Sequence, residues 1–392
     1  MLESIYIGMS GLTGYSQGLR VIANNTANVN TPGFKSSSLQ FTDLFASGGG
    51  NGDGGAYQIG HGLGTNGTTL NFRQGELRQT GNALDLALTG DGMFTLKDSS
   101  GKTHYTRAGQ FEFDSSGVLV NRADGAKVMA LAGDGKLAEI SIANARTSSG
   151  KASSTVSLSG NLSSTATSQT VSGVTVFDAL GGEHALSLQL TNTNATSAGS
   201  WDVALMDGDT KVASKQLIFA SGQPAPATQK LAFSFAPTGQ GAMPLTLDFS
   251  VGVTSFASGN LSTLAMSSQD GFAPAAMTAA TFDNTGTLVQ TYANGQTIKG
   301  ARLALGRFDS SDDVASTGGG SFDALNESGW HIGVAGTGAF GSITSGSVEI
   351  SNVDLSQEFS DLVIMQRGYQ ASSQIISTAN DMLQELFSMK GK

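Results

Sequence analysis

The side chains best placed to do chemistry are amides. The stretch "ANNTANVNTPGFK", residues 23–35, holds four asparagines, Asn24, Asn25, Asn28 and Asn30, in thirteen residues. An amide both donates and accepts, so it can satisfy frayed carbonyls at a helix end or bond to a neighbouring chain without burying charge. Asn24 and Asn28 share a helix face at i, i+4, with Asn25 beside them, and both roles are expected of them. Catalytic constellations are not found. His61, His104, His184 and His331 stand alone, with no second histidine or carboxylate at metal-ligand spacing. No Gly-x-Ser-x-Gly elbow and no phosphate-binding Gly-Lys-Ser/Thr loop occurs. The Gly-rich run 48–55 precedes no helical pattern, so it is not a phosphate cradle. Its near-match to a calcium-binding nonapeptide fails on spacing and does not recur. "FDSSDD" (308–313) reads as a solvated loop. No catalytic, cofactor-binding or metal-ligating residue is expected, and the chain does not read as an enzyme.

Composition narrows the class further. At 392 residues two or three domains are expected. Only 13% of residues are charged and 53 are glycine, which suits many short strands and turns with a Ser/Thr/Asn surface. The net charge of −10 and the lack of a basic run argue against nucleic acid and against an anionic membrane surface. The absence of cysteine excludes disulfides and thiol chemistry. No 18-residue apolar run predicts membrane insertion, and "MLESIYIGMSGLTGYSQGLR" lacks the features of a cleaved secretory signal.

The elements that must position the amides lie at the two ends. Leu362, Met365, Tyr369, Ser372, Ile376, Ala379, Leu383 and Leu386 recur at alternating spacings of three and four, the seam of a coiled coil. With an N-cap between Ser351 and Asp354 and no later proline, a helix from about Asp354 to Met389 follows. Leu2, Ile5, Met9, Leu12, Ser16, Leu19 and Ala23 show the same rhythm, interrupted by Gly8, Gly11, Gly14 and Gly18. Each interior glycine costs a helix about 1 kcal/mol relative to alanine, so this is a poor lone helix but one that can press closely on a neighbour. The seams fit either helices folded on their own subunit or helices stacked among copies. Order gained only in the polymer is the expectation.

Between the ends the period changes to two. Residues 31–71, Ser- and Gly-rich, read as an extended connector. Leu84, Leu86 and Leu88 alternate before a Gly-Asp-Gly turn, and "QFEFDSSGVLV" (110–120) reads as two strands around Ser-Ser-Gly. "TFDNTGTLV" (281–289) repeats that hairpin, which suggests one discontinuous β domain, 72–147 and 281–351. The segment between, 148–280, is expected to be an inserted antiparallel β domain, with Leu245, Leu247, Phe249, Val251 and Val253 on one strand face. The fold class is therefore mainly β with α-helical termini, residues 1–30 and 352–392, pairing in a coiled-coil-like inner domain.

The residues of "ANNTANVNTPGFK", "LRQTGNALDLALTGDGMFTL" (77–96), "YTRAGQFEFDSSGVLV" (105–120) and "SNVDLSQEFSDLVIMQRGYQASSQIISTANDMLQEL" (351–386), in that order, resemble the bacterial flagellar rod and hook axial-protein family. Pro32 and Thr26 depart from the usual pattern, which touches only the local bend. The inserted domain, and "VTVFDALGGEHALSLQL" (174–190) within it, are similar to the hook branch rather than the shorter rod branch. The resemblance implies a structural subunit that self-assembles into a curved helical tube, a universal joint carrying motor torque from rod to filament. A distal rod subunit, or outside the family a secreted β-rich adhesin or surface protein, are the alternatives. It further implies polymerisation through Leu2, Ile5, Met9, Leu12, Leu19, Asn24, Asn25, Asn28, Asn30, Gly33 and Phe34 on the N-terminal side. On the C-terminal side the implied residues are Leu355, Phe359, Leu362, Met365, Tyr369, Ile376, Leu383 and Leu386. The implied partners are further copies, the distal rod protein, the hook–filament junction protein, the hook cap and the flagellar type III export apparatus. Location would be extracellular, on the flagellum, after export without a cleaved signal peptide.

Overall fold

A helix opens the chain and a longer one closes it; nearly all regular structure between them is strand. The computed structural model describes residues 2–44, 46–49 and 57–390. Helix α1 spans Leu2–Ala27 and helix α2 spans Leu355–Lys390. The Asp354 carboxylate caps α2, accepting from the amides of Ser356 (2.8 Å) and Gln357 (3.3 Å) and so satisfying two of its orphan donors. At about 1.5 Å per residue its 36 residues run roughly 54 Å.

Two compact units emerge: Met1–Ala143 with Ala280–Gln290 and Ile298–Lys392, and Asn144–Ala279 with Thr291–Thr297. In the first, a sheet takes strands in the order Val314–Gly318, Ser321–Ala324, Thr103–Thr106, Met93–Lys97, Lys127–Leu131, Leu119–Asn121, Phe111–Phe113. Its core gathers Leu86, Leu88, Phe94, Phe111, Leu119 and Val128 with Phe282, Leu288, Leu303 and Ile343 from the returning chain. Phe94 and Phe111 meet edge to face at 5.1 Å. The Ser/Gly-rich stretch expected to be an extended connector instead carries paired strands: Ser37–Asp43 runs antiparallel to Leu63–Leu70 with a bulge, and Ala46–Gly49 to Tyr57–Gly60. Composition hid this because most of the ribbon's residues are small or polar, with Leu39, Phe41, Leu63 and Leu70 too few to set a clear alternation. The centre of the Gly-rich run, residues 50–56, lies outside the described residues.

The second unit has two five-stranded sheets. One is an antiparallel meander from Ser168–Phe177 through Glu183–Asn192, Ser200–Asp207 and Thr210–Ala220 to Gln223–Pro224. The other centres on Thr155–Asn161, which pairs antiparallel with Ala265–Gln269 but parallel with Met243–Asp248 and Val253–Thr254. Inward residues of both, such as Val174, Leu188, Val203, Phe233 and Leu247, form one core. The run expected to alternate from Leu245 to Val253 breaks at Val251, which is exposed. The strand ends at Asp248, whose carboxylate accepts from the Ser250 amide at 2.8 Å, and the turn that follows carries Val251 outward.

The repeated hairpin is real at atomic detail. Asp114 Oδ1 accepts from the Val118 amide at 2.8 Å while the Gly117 amide donates to the Asp114 carbonyl at 3.0 Å. Asp283 does the same with Thr287 (3.0 Å) and Gly286 (2.9 Å). Gly117 and Gly286 hold φ of +84° and +71°, a region costly for any residue with a Cβ, so Asp-x-x-Gly is required by the turn itself. Asp98 and Asp178 build it too. Asp178 adds His184 Nε2 at 2.9 Å and Gln240 Nε2 at 2.5 Å. The His184 hydrogen bond leads the interactions that lower the Asp178 carboxyl from its ordinary 3.8 to about 2, against the opposing pull of desolvation. A depressed carboxyl stabilises the fold above its unfolded pKa and loses that contribution as pH falls through the folded value. Calorimetry from pH 5 to pH 2 should therefore show the second unit losing melting temperature below about pH 4. Asp178→Asn should melt lower at pH 5 and show a shallower acid limb.

Candidate assembly surface on the terminal helices

Helix α1 turns its glycines inward. Its buried positions are Gly8, Gly11, Gly14, Gly18, Ile22 and Asn25. A Cβ on Gly8 would lie 2.7 Å from Ile376 Cγ1, and one on Gly18 would lie 2.9 Å from Met365 Sδ. On Gly11 it would overlap the Ser372 hydroxyl, and on Gly14 it would stand 2.8 Å from Leu63 of the ribbon. Gly368 on α2 answers with the same device, lying against the Tyr15 ring. The helix backbones thus approach as closely as small residues allow, and the roughly 1 kcal/mol each interior glycine costs is offset by contact.

This corrects the expected N-terminal seam by one position. Leu2 and Met9 are 80% and 56% exposed, and Ile5, Leu12 and Leu19 are half-buried at the seam's flanks. On α2 the expected spacing lies largely on the seam: Ser372 and Ala379 are buried, Leu362, Met365, Ile376 and Leu383 half-buried. Leu355, Phe359, Tyr369 and Leu386 face outward. About a quarter turn round α2 from the seam runs a second apolar stripe, Ile364, Ile375, Met382, Leu386 and Met389, all exposed. Phe387 (72% exposed), Tyr6 and the outward residues already named add to an apolar surface far beyond scattered single residues.

The asparagines divide by role. Asn24 and Asn28 stay near the surface, where Asn28 Nδ2 donates to the Asn24 carbonyl at 2.9 Å and Asn28 Oδ1 accepts from Thr31 at 3.0 Å, closing the helix end. Asn25 is the inward one. Its Nδ2 donates to Glu358 Oε1 (2.9 Å) on α2 and to the Ser37 carbonyl (2.8 Å), and its Oδ1 accepts from the Ser37 amide (3.1 Å). Burial raises the Glu358 carboxyl, partly offset by that hydrogen bond. Asn30 is exposed and Phe34 half-buried. Gly33, at φ +70°, is buried with no room for a Cβ beside the Arg107–Ala108 backbone, and its amide donates to the Glu349 carbonyl at 2.8 Å.

Just beyond lies a cluster that motif reasoning missed. Lys35 Nζ meets Glu349 Oε1 at 2.6 Å with both side chains fully buried, and Arg107 Nη1 meets Glu349 Oε2 at 3.2 Å. The remaining valences go to backbone: Lys35 to the Arg73 carbonyl (2.8 Å), Arg107 Nη2 to the Gly90 carbonyl (2.8 Å), and the Gly75 amide to Glu349 (2.9 Å). Burial lowers both cations' pKa values, and Glu349 opposes the shift. Asn352 adds a clasp, accepting from the Ser36 amide and donating to the Asn71 and Arg73 carbonyls at 2.7–2.9 Å. The only sequence signals were a lysine closing "NTPGFK" and a lone acid in "SVEIS". The four histidines, solitary in sequence, each lie within 4.0 Å of a carboxylate: Glu3 for His61, Asp98 and Asp323 for His104, Asp178 for His184, Asp309 for His331. Among the described residues no group of three or more such side chains could hold a metal ion, and no helix is long and apolar enough to cross a membrane. Asn25→Ala should destabilise the first unit by about 2 kcal/mol by leaving Glu358 and the Ser37 backbone unsatisfied. Asn24→Ala should cost under about 0.5 kcal/mol, both read by chemical denaturation.

Comparisons with known proteins match the chain along nearly its whole length. Three family models match in chain order: "Flagella basal body rod protein" over 5–35, "Flagellar hook protein FlgE/F/G D1 domain" over 87–164 and "Flagellar basal body rod FlgEFG protein C-terminal" over 344–389. Flagellar hook protein FlgE of Escherichia coli is 31% identical, covering 97% of this chain and 98% of that protein. FlgE of Salmonella typhimurium is 30% identical with the same coverage. The crystal structure of Helicobacter pylori flagellar hook protein FlgE2 shares the fold, with a TM-score of 0.53 and 13% identity over 69% of this chain and all of that one. Matched over 97% of its length at 31% identity, the chain belongs to the flagellar hook protein FlgE family.

Proposed function

We propose that the protein is the structural subunit of a bacterial flagellar hook, polymerising into a curved helical tube that transmits torque from rod to filament. The observation that carries this is the inverted economy of the terminal helices. On α1 the seam is mostly glycine, set against Ser372, Ala379 and the half-buried Met365 and Ile376 of α2, while Ile364, Ile375, Met382, Leu386 and Met389 of α2 stay outside. Burying the five stripe residues of α2 against further copies would contribute on the order of 10 kcal/mol per subunit. Within the single chain these five side chains remain exposed.

Residues 1–30 and 352–392 act as the inner polymerisation domain through the terminal residues named above, with Asn24, Asn28 and Asn30 bonding to neighbours. Residues 72–147 and 281–351 act as one discontinuous β domain, and 148–280 as a second, inserted β domain. The work is mechanical and involves no catalysis. The subunit leaves the cell unfolded through the flagellar type III apparatus without a cleaved signal, and its ends of the tube meet the distal rod protein, the hook cap and the hook–filament junction protein. End-to-end similarity to hook relatives disfavours the rod and adhesin readings.

Electron microscopy of the purified chain in high salt should show curved tubes; straight rods would indicate a rod subunit, and single particles neither. Combining Ile375→Ser, Met382→Ser and Leu386→Ser should abolish the tubes while both calorimetric transitions stay unchanged. Normal tubes from that variant would remove the stripe from the assembly surface.

A further inference from the structure

We propose that the buried Lys35–Glu349–Arg107 cluster is an orientation lock, setting the angle at which the helix pair stands on its β scaffold rather than adding stability. The proposal rests on the hook reading only for its mechanical consequence.

Position is the first argument. Lys35 follows α1 by eight residues, and Glu349 precedes α2 by six. Each covalent link between a terminal helix and the scaffold therefore passes through the cluster. Arg107 belongs to the scaffold, between the strands Thr103–Thr106 and Phe111–Phe113. Three segments far apart in sequence are thus tied at one buried carboxylate.

Directionality is the second. Glu349 Oε1 takes Lys35 at 2.6 Å and the Gly75 amide at 2.9 Å, Oε2 takes Arg107 at 3.2 Å, and the Glu349 carbonyl takes the Gly33 amide at 2.8 Å. Charge-assisted bonds weaken steeply with misalignment, so rotating either terminal segment on the scaffold breaks several at once. Apolar packing of the same volume has no such preference.

Energetics is the third. Desolvating three charges costs much of what their attraction returns, so replacing all three with apolar residues of similar size is often neutral or stabilising. Removing one partner is not, because an uncompensated buried charge remains. In a hook, torque carried by the helices would reach the β layer without slack.

The chain has no cysteine, so spin labels at Gln384→Cys on α2 and Asp134→Cys on a scaffold turn can be placed cleanly in full-length monomer. Both terminal helices are formed and paired within the single chain, against the expectation of order gained only in the polymer, so pulsed electron paramagnetic resonance should give a narrow distance distribution for the otherwise unsubstituted chain. Glu349→Gln should lower the melting temperature of the first unit by about 10 °C. The triple variant Lys35→Met/Arg107→Met/Glu349→Leu should melt within a few degrees of the parent yet widen the distribution at least twofold. In the polymer it should give tubes of irregular curvature. An unchanged distribution in the triple variant, or a Glu349→Gln variant that melts like the parent, overturns the lock. Should the triple variant not fold, Glu349→Gln measured well below its melting temperature takes its place, judged by the same width. The spin-label arm uses monomers, so tube failure in the unsubstituted chain would count against the hook reading alone.

Discussion

The close approach of α1 to α2 is the constraint on which the rest depends. Two helices can run this near only where one presents no side chain, and α1 does so at Gly8, Gly11 and Gly18. A glycine face gives little hydrophobic stabilisation of its own. It does free the opposite faces, because every large apolar residue displaced from the seam is available to something else. The pair is thus thin, closely set and apolar on the outside, the form a subunit needs if its helices are to be buried among copies of themselves.

A thin helix pair must also be held firmly to the body it serves. Hydrophobic contact would hold it without fixing its angle. The chain instead brings a lysine, a glutamate and an arginine together in a site closed to water, and satisfies most of their remaining valences with backbone groups. Asn25 with Glu358, and Asn352 with Ser36, extend the same principle on either side. Directional bonds line the whole passage from helix to scaffold, in a protein only 13% charged.

The β body is assembled more locally. Asp-x-x-Gly turns recur at Asp98, Asp114, Asp178 and Asp283, each with the aspartate side chain bound to the amide four residues on. Such a turn is stable where its own residues put it. Short strands between turns then need only alternate, and two cores of ordinary aliphatic and aromatic residues follow. The ribbon of 37–43 and 63–70 is the exception, since it pairs largely exposed, small and polar residues.

Local chemistry was what the sequence determined. Helix periods, the Asp354 cap, the hairpin shared by 110–120 and 281–289, and the family likeness of the two ends all rest on residues close together in the chain. The phase of the α1 seam was not legible, because a 3.5-residue rhythm of large residues marks a face without saying which partner covers it, and glycine carries no hydropathy signal. Nor was the split among the asparagines, since Asn24 and Asn25 differ by about 100° on the helix and only the position of Glu358, 333 residues away, decides which is buried. Lys35, Arg107 and Glu349 carried no signal in the sequence for the same reason. A lone charge is costly to bury and its partners lie up to 314 residues off, so folding alone, by bringing them within hydrogen-bond reach, made them a single buried site.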